Sequence, residues 1–279
     1  MKKINKWDAK VFHSRSDEKS KKGHIPGSPD DNDLAIYRSA IESSSSPMSL
    51  VMGMTLGIRQ ILCDLQHKVT CLEISDDAID FLSDGIPESC RKNETIVKGS
   101  WLEMSKLLND KYQFVLGDGV FPNILDFNNQ ELLIREIRNV LHSNGKFVTR
   151  ACLVTKELDL ENRTADILIK RFRTGRINSA EFGHSMRIWG CYDKAYDQNT
   201  YLLDNRIVYQ IYEEWFADGK LTKEEHDIVN RQYFGGHHFY PPESYWEKLL
   251  TNAGFSFKRH LNSGFIYYDY LPIYECTPL

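Results

Sequence analysis

Ser49-Leu50-Val51-Met52-Gly53-Met54-Thr55-Leu56-Gly57 is the stretch that decides the fold. Leu50 to Met52 is a short apolar run, two glycines follow, and Ile58, Ile61, Leu62 and Leu65 then recur at i, i+3, i+4 and i+7. The pattern is strand, turn, helix. Glycines in such a turn let the backbone approach a ligand closely, and the helix behind it presents N–H groups to that ligand.

Downstream the pattern repeats. Residues 69–72 predict a second strand that ends at Glu73, and Ser75 can cap the next helix, with Asp76 and Asp77 in its positive first turn. Further strands are expected at 95–97, 114–116 and 147–148. The last follows a helix that carries Leu133, Ile137, Val140 and Leu141 and is closed by Gly145. Alternation of this kind predicts a doubly wound, mostly parallel sheet with helices on both faces. Its ligands lie beyond the carboxyl ends of the strands, where the strand order reverses.

After the fifth strand the alternation stops. Helical faces appear instead at Ala165, Leu168, Ile169 and Phe172, and at Val208, Ile211, Tyr212 and Trp215, while Thr222 and Glu225 form a capping box for one more helix. The alternation returns with a helix carrying Trp246, Leu249, Leu250 and Ala253, a strand at 255–259 and an aromatic strand at 265–270. The chain thus divides into a polar arm at 1–46, with at most a short helix around residues 34–41, an α/β domain at 47–154 and 241–279, and a helical insertion at 155–240 placed to act as a lid.

The whole chain limits the partners. In 279 residues, 41% apolar content suffices for a large core, and the net charge of −4 supplies no field for phosphate backbones. No nucleic-acid partner is expected. Lys170, Arg171, Arg173 and Arg176 form one basic run, which reads first as a solvated helix face. No run approaches the roughly 18 uninterrupted apolar residues of a membrane span. Six scattered cysteines without a C-x-x-C pair, behind an N-terminus lacking an apolar leader, predict reduced thiols and a cytoplasmic protein.

Glu73 stands about 20 residues beyond Gly53, the place from which an acid bonds a ribose diol. Turn and acid together predict a nucleotide-type cofactor. Adjacent His237 and His238, in the glycine-rich stretch 235–240, are candidate general bases because imidazole titrates near neutrality. No third ligand at metal-like spacing accompanies them, so no metal is expected. His184, Tyr37, Tyr192 and the aromatic group Trp189, Tyr209, Tyr212 and Trp215 are further pocket candidates; the helical spacing of the aromatic group reads first as core, with stacking on a ring as the alternative.

Residues 50–150 and 240–279 resemble class I S-adenosylmethionine-dependent methyltransferases. Residues 49–57 are similar to the family's first motif and 69–75 to its second-strand motif. Val97-Lys98-Gly99-Ser100-Trp101-Leu102 resembles the adenine-facing stretch, and Phe114-Val115-Leu116-Gly117-Asp118-Gly119 the fourth-strand motif facing the methyl group. Residues 132–150 match the family's helix, turn and fifth strand. Thr55 stands where a central glycine is usual, and Ser100 where an aspartate is common.

The resemblance implies a Rossmann-like sheet with an antiparallel last strand, and S-adenosyl-L-methionine as cofactor. It implies that Gly53, Met54, Thr55, Gly57, Glu73, Ile74, Ser100, Trp101, Gly117 and Asp118 hold that cofactor, with Asp118 also orienting the acceptor, a small molecule methylated on oxygen or nitrogen. A nicotinamide-dependent oxidoreductase would share the turn and Glu73 but needs a third glycine where Arg59 or Gln60 stands. The same residues would also suit a non-catalytic cofactor binder or a protein methyltransferase, and they are compatible with a homodimer.

Overall fold

A computed structural model describes residues 27–42, 47–233, 235–262 and 268–279. Its strands are β1 (Met48–Met52), β2 (Lys68–Glu73), β3 (Glu94–Lys98), β4 (Tyr112–Asp118), β5 (Leu141–Arg150), β6 (Tyr196–Asp197), β7 (Leu202–Asp204), β8 (His237–Phe239), β9 (Phe255–His260) and β10 (Ile273–Pro278). Seven of them form one sheet in the order β3-β2-β1-β4-β5-β10-β9. Strands β3 to β5 of that row run parallel, and β10 lies antiparallel to both β5 and β9. This is the expected Rossmann-like sheet with an antiparallel last strand.

Alternate residues of the central strands serve two cores. Leu50, Met52, Val115 and Phe147 face the helices Phe127–Val140 and Glu243–Asn252, where Trp246 is buried. Val51, Leu116 and Val148 face the other way, onto Ile58 and Leu62 of the helix Leu56–Asp64 and Tyr37 and Ile41 of the helix Asp31–Ile41. A strand covered on both faces must be apolar throughout, which is why β1 and β4 lack polar alternation. Ser75 caps the helix Asp76–Ser83 through Ala78 N–H, as its position predicts.

Several expectations are corrected. The N-terminal helix is longer than foreseen, opens with a capping box between Asp30 and Asp33, and packs on the sheet. The helix before β5 ends at Val140, and Gly145 lies inside the strand. A Cβ there would stand 2.8 Å from the Gln113 carbonyl, beside a shift in the β4–β5 register. Residues 265–267 of the expected aromatic strand lie outside the described residues, as do 1–26 of the arm. Tyr268–Tyr270 forms a 3-10 turn, and the closing strand is Ile273–Pro278, whose Ile273, Tyr274 and Cys276 are buried. Cys63 and Cys90 form a disulfide with 5.3 Å between Cα atoms, so the expectation of thiols reduced throughout does not hold for this pair.

Between β5 and the helix Glu243–Asn252 stand the helices Ala165–Arg173, Ser179–Ser185, Asn205–Ala217 and Lys223–Arg231. They carry the predicted faces and the predicted Thr222–Glu225 capping box. The strands β6, β7 and β8 add a small antiparallel sheet that periodicity did not announce, because each has two or three residues. These elements share an apolar core of their own, with Leu168, Phe182, Trp189, Leu203, Tyr212 and Ile228 inside it. Among the described residues no helix is long and apolar enough to cross a membrane.

Candidate functional site

The order of strands reverses at β1, which has β2 on one side and β4 on the other. The register aligns Met52 with Leu72 and Gly117, and Asp118 with Arg150, so Gly53, Glu73, Asp118 and Arg150 end their strands along one edge. That edge is where ligands of such sheets are held.

Gly53 opens the turn with φ +97° and donates its N–H to the Leu72 carbonyl at 2.9 Å. Only glycine enters this region freely. A Cβ on Gly53 would lie 3.7 Å from both Glu73 Oε2 and Trp101 Cζ2, so the missing side chain leaves a cradle between an acid and an indole. Trp101 is fixed by Nε1 donating to the Leu72 carbonyl at 2.7 Å. Glu73 takes the N–H groups of Ile74 and Ser75 on Oε1, at 2.7 and 2.8 Å, which leaves Oε2 on the Gly53 side. Burial pushes its carboxyl above the ordinary range, with the two backbone donors pulling against it. Hydroxyl donors from a ligand would stabilise the carboxylate there.

The other predicted residues divide. Thr55 caps the helix Leu56–Asp64 by backbone position alone, with no side-chain bond. Met54 packs in the core beside Ile58. Gly57 lies in the first helical turn, and its missing Cβ makes room for Leu34, whose Cδ2 stands 2.8 Å from where that atom would be. Ile74 is 60% exposed beside Glu73. The Ser100 hydroxyl is engaged as the cap of the turn Trp101–Glu103, accepting from Leu102 N–H at 3.2 Å. Gly117 has no space for a side chain, with Met52 Cε and Val120 Cγ2 within 3 Å of an added Cβ.

Asp118 is not an open acid. Arg150 grips it at both oxygens, Nε to Oδ1 at 2.7 Å and Nη2 to Oδ2 at 3.1 Å, and reaches Asp33 Oδ2 with Nη1 at 2.9 Å. Arg150 also donates to the Gly27 carbonyl. Burial opposes the charges of all three groups. Arg150 draws both carboxyls down without fully offsetting that cost, while the two acids hold the guanidinium protonated. Tyr37 joins the strand ends, donating to the Gly117 carbonyl at 2.6 Å and accepting Arg150 N–H at 2.8 Å. Arg150 and Asp33 were missed, although a charged residue ending an apolar strand is itself a signal of the ligand edge.

His237 and His238 lie on β8, which packs on the turn Phe121–Asn123 that follows β4. His237 faces Asp204 and Arg206, both at 3.4 Å, and His238 Nδ1 pairs with Asn205 Nδ2 at 2.7 Å. Among the described residues no three His, Cys, Asp or Glu side chains gather as metal ligands. Of the basic run, Arg173 binds Glu225 at 2.7 and 2.9 Å; near it, Lys220, outside the run, binds Asp166 at 2.8 Å. Asp166, Lys170, Arg173 and Lys220 rim a hollow of about 300 Å³ that shares no side chain with the strand edge.

No family model and no curated relative matches the chain. Solved structures do. The chain is similar to a zinc-dependent alcohol dehydrogenase from Rhodobacter sphaeroides, with TM-score 0.58 and 14% identity over 99% of each chain. It is similar to the CcbJ methyltransferase from Streptomyces caelestis, with TM-score 0.58 and 14% identity over 97% of this chain and 99% of that one. The glycopeptide N-methyltransferase MtfA follows, with TM-score 0.51 and 14% identity over 89% and 90%. The chain has a class I methyltransferase-like fold.

Proposed function

We propose that this chain is an S-adenosylmethionine-dependent methyltransferase acting on a small molecule through oxygen or nitrogen. The observation that carries this reading is the cradle: a positive-φ glycine at the reversal of strand order, flanked by a carboxylate oxygen and an indole edge. Its chemistry suits an adenosyl group, with Glu73 on the ribose hydroxyls and Trp101 and Ile74 beside the base. The amides after Gly53 suit the amino-acid tail. MtfA, of similar fold, has been solved with S-adenosylmethionine and with sinefungin.

Bound there, the cofactor would supply a methyl carbon already electrophilic by attachment to a sulfonium. The chain's own work is to orient the acceptor, exclude water and receive a proton where the acceptor carries one. The Asp118–Arg150–Asp33 network keeps the strand edge rigid, and the insertion at 155–240 serves as the lid that keeps water out.

Calorimetry with S-adenosylhomocysteine tests the reading. Micromolar binding is expected, weakened about 10- to 100-fold by Glu73→Gln, as loss of a charged hydrogen bond of about 1.5–3 kcal/mol implies. No binding at millimolar ligand would overturn it. The dehydrogenase likeness favours a second reading, a nicotinamide-dependent oxidoreductase. Against it, Arg59 fills the position of a third turn glycine and is buried against Glu94 at 2.7 Å. Fluorescence titration with the reduced dinucleotide separates the two.

A further inference from the structure

The helix Leu56–Asp64, whose first turn closes the loop that Gly53 opens, is braced along its length by residues 82–94. At its start Leu56 packs on Gly85, where an added Cβ would stand 2.3 Å from Leu56 Cδ2. Further on, buried Arg59 donates to the Leu82 carbonyl at 2.6 Å and to the two Glu94 oxygens at 2.8 and 2.7 Å. In the last turn Cys63 is bonded to Cys90. The loop closed by that bond contains β2, Glu73 and the helix Asp76–Ser83, so one covalent link ties the helix behind Gly53 to the segment that follows Glu73.

These braces are unequal. Of residues 84–91 only Ile86 and Cys90 are buried, and the helix Glu88–Arg91 has four residues. A single turn has no stability of its own, so the disulfide is what seats it. Arg59 and Glu94 are 0% and 4% exposed, and their pairing does not depend on sulfur. Loss of the disulfide therefore loosens residues 84–91, with Gly85 against Leu56, while Arg59 keeps the surrounding fold in place. Cys63 is half-buried, whereas Cys71, Cys90, Cys152, Cys191 and Cys276 are buried, so a thiol from solvent reaches the pair at Cys63.

We propose that Cys63 and Cys90 are a redox switch on the cofactor cradle: the disulfide holds the turn 53–57 in its binding form and the dithiol relaxes it. The inference rests on the reading of the cradle as the cofactor site. An external dithiol supplies the two electrons. Its thiolate attacks Cys63 Sγ, the S–S bond breaks, and Cys90 leaves as a thiolate. The second external thiol then displaces Cys63, the reductant departs as a disulfide, and the protons it gave up pass to the two cysteines. A small-molecule disulfide reverses these steps. A covalent change at one end of the helix is thus felt at the other, where the turn lies.

Affinity for S-adenosylhomocysteine is measured by calorimetry on the full chain oxidised, reduced with dithiothreitol, and reoxidised with glutathione disulfide. Hydrogen exchange of the amides of residues 53–57 and 73–75 is followed in the same states. Reduction should weaken binding about tenfold, as coupled sites do, and speed those amides by a similar factor, and reoxidation should restore both. Cys63→Ser combined with Cys90→Ser should match the reduced chain and ignore the oxidant; should that variant not fold, the states of the wild type decide. Equal affinity in the oxidised and reduced chain overturns the proposal. So does a chain that unfolds on reduction or does not recover on reoxidation, because the bond is then a staple and not a switch. If no state binds S-adenosylhomocysteine, the cofactor assignment fails and the amides decide: reversible loosening keeps the switch, and unchanged exchange removes it.

Discussion

Gly53 and Gly57 look alike in sequence and do different work. The first needs its positive φ and its open side toward Glu73, whereas the second is a helical residue whose lack of a Cβ admits Leu34. His67 offers a test at the same scale. It is 1% exposed, its Nδ1 is 2.7 Å from Ser49 Oγ, and burial lowers its pKa from 6.5 to about 4. The folded state therefore resists a proton that the unfolded chain accepts. Stability from this group is complete above about pH 6.5 and is lost as pH falls toward 4, by about 2–3 kcal/mol. Denaturant titrations at pH 7 and pH 4.5 should show that loss in the wild type and much less of it in His67→Gln.

At the scale of elements, the helix Asp31–Ile41 couples the N-terminal segment to the cofactor loop. Leu34 sits on Gly57, and Tyr37 bridges β4 and β5. Gly57→Ala should cost about 1–3 kcal/mol by overpacking, and Leu34→Ala added to it should recover part of that loss in urea melts. If the double variant is as unstable as the sum of the singles, the two residues do not meet. The Cys63–Cys90 link ties the helix Leu56–Asp64 to the short helix Glu88–Arg91, with a sequence separation of 27. Arg59 bound to Glu94 and to the Leu82 carbonyl joins the same regions. Closing a loop of this length stabilises by about 3–4 kcal/mol. Thiol titration of the denatured, unreduced protein should find four reactive cysteines of the six, and a reductant should lower the melting temperature.

For the whole molecule, the sheet packs one core on each face and the insertion holds a third. A ligand held at the strand edge favours the folded state by mass action, about 2.7 kcal/mol at a hundred times its Kd. For a chain of this length that is a rise of about 5–10 °C in melting temperature. S-adenosylhomocysteine should produce it in the wild type, and Glu73→Gln at the same concentration should show about half of it or less. An equal rise in both would place the ligand elsewhere.

Local order along the chain determined the βαβ frame, the turn at Gly53, the acid at Glu73 and the caps at Ser75 and Thr222, because each depends on residues within a few positions or on one strand-to-strand spacing. Tertiary structure decided the rest. Asp118 is written like a free acid, but Asp33, 85 positions earlier, and Arg150 meet it only when the N-terminal helix packs on the sheet. His237 and His238 were candidates by their chemistry alone, and only the fold gives them their neighbours, Asp204 and Arg206 for the first and Asn205 for the second. Long-range pairing of charges and rings depends on which surfaces the core brings together, and periodicity carries no record of that.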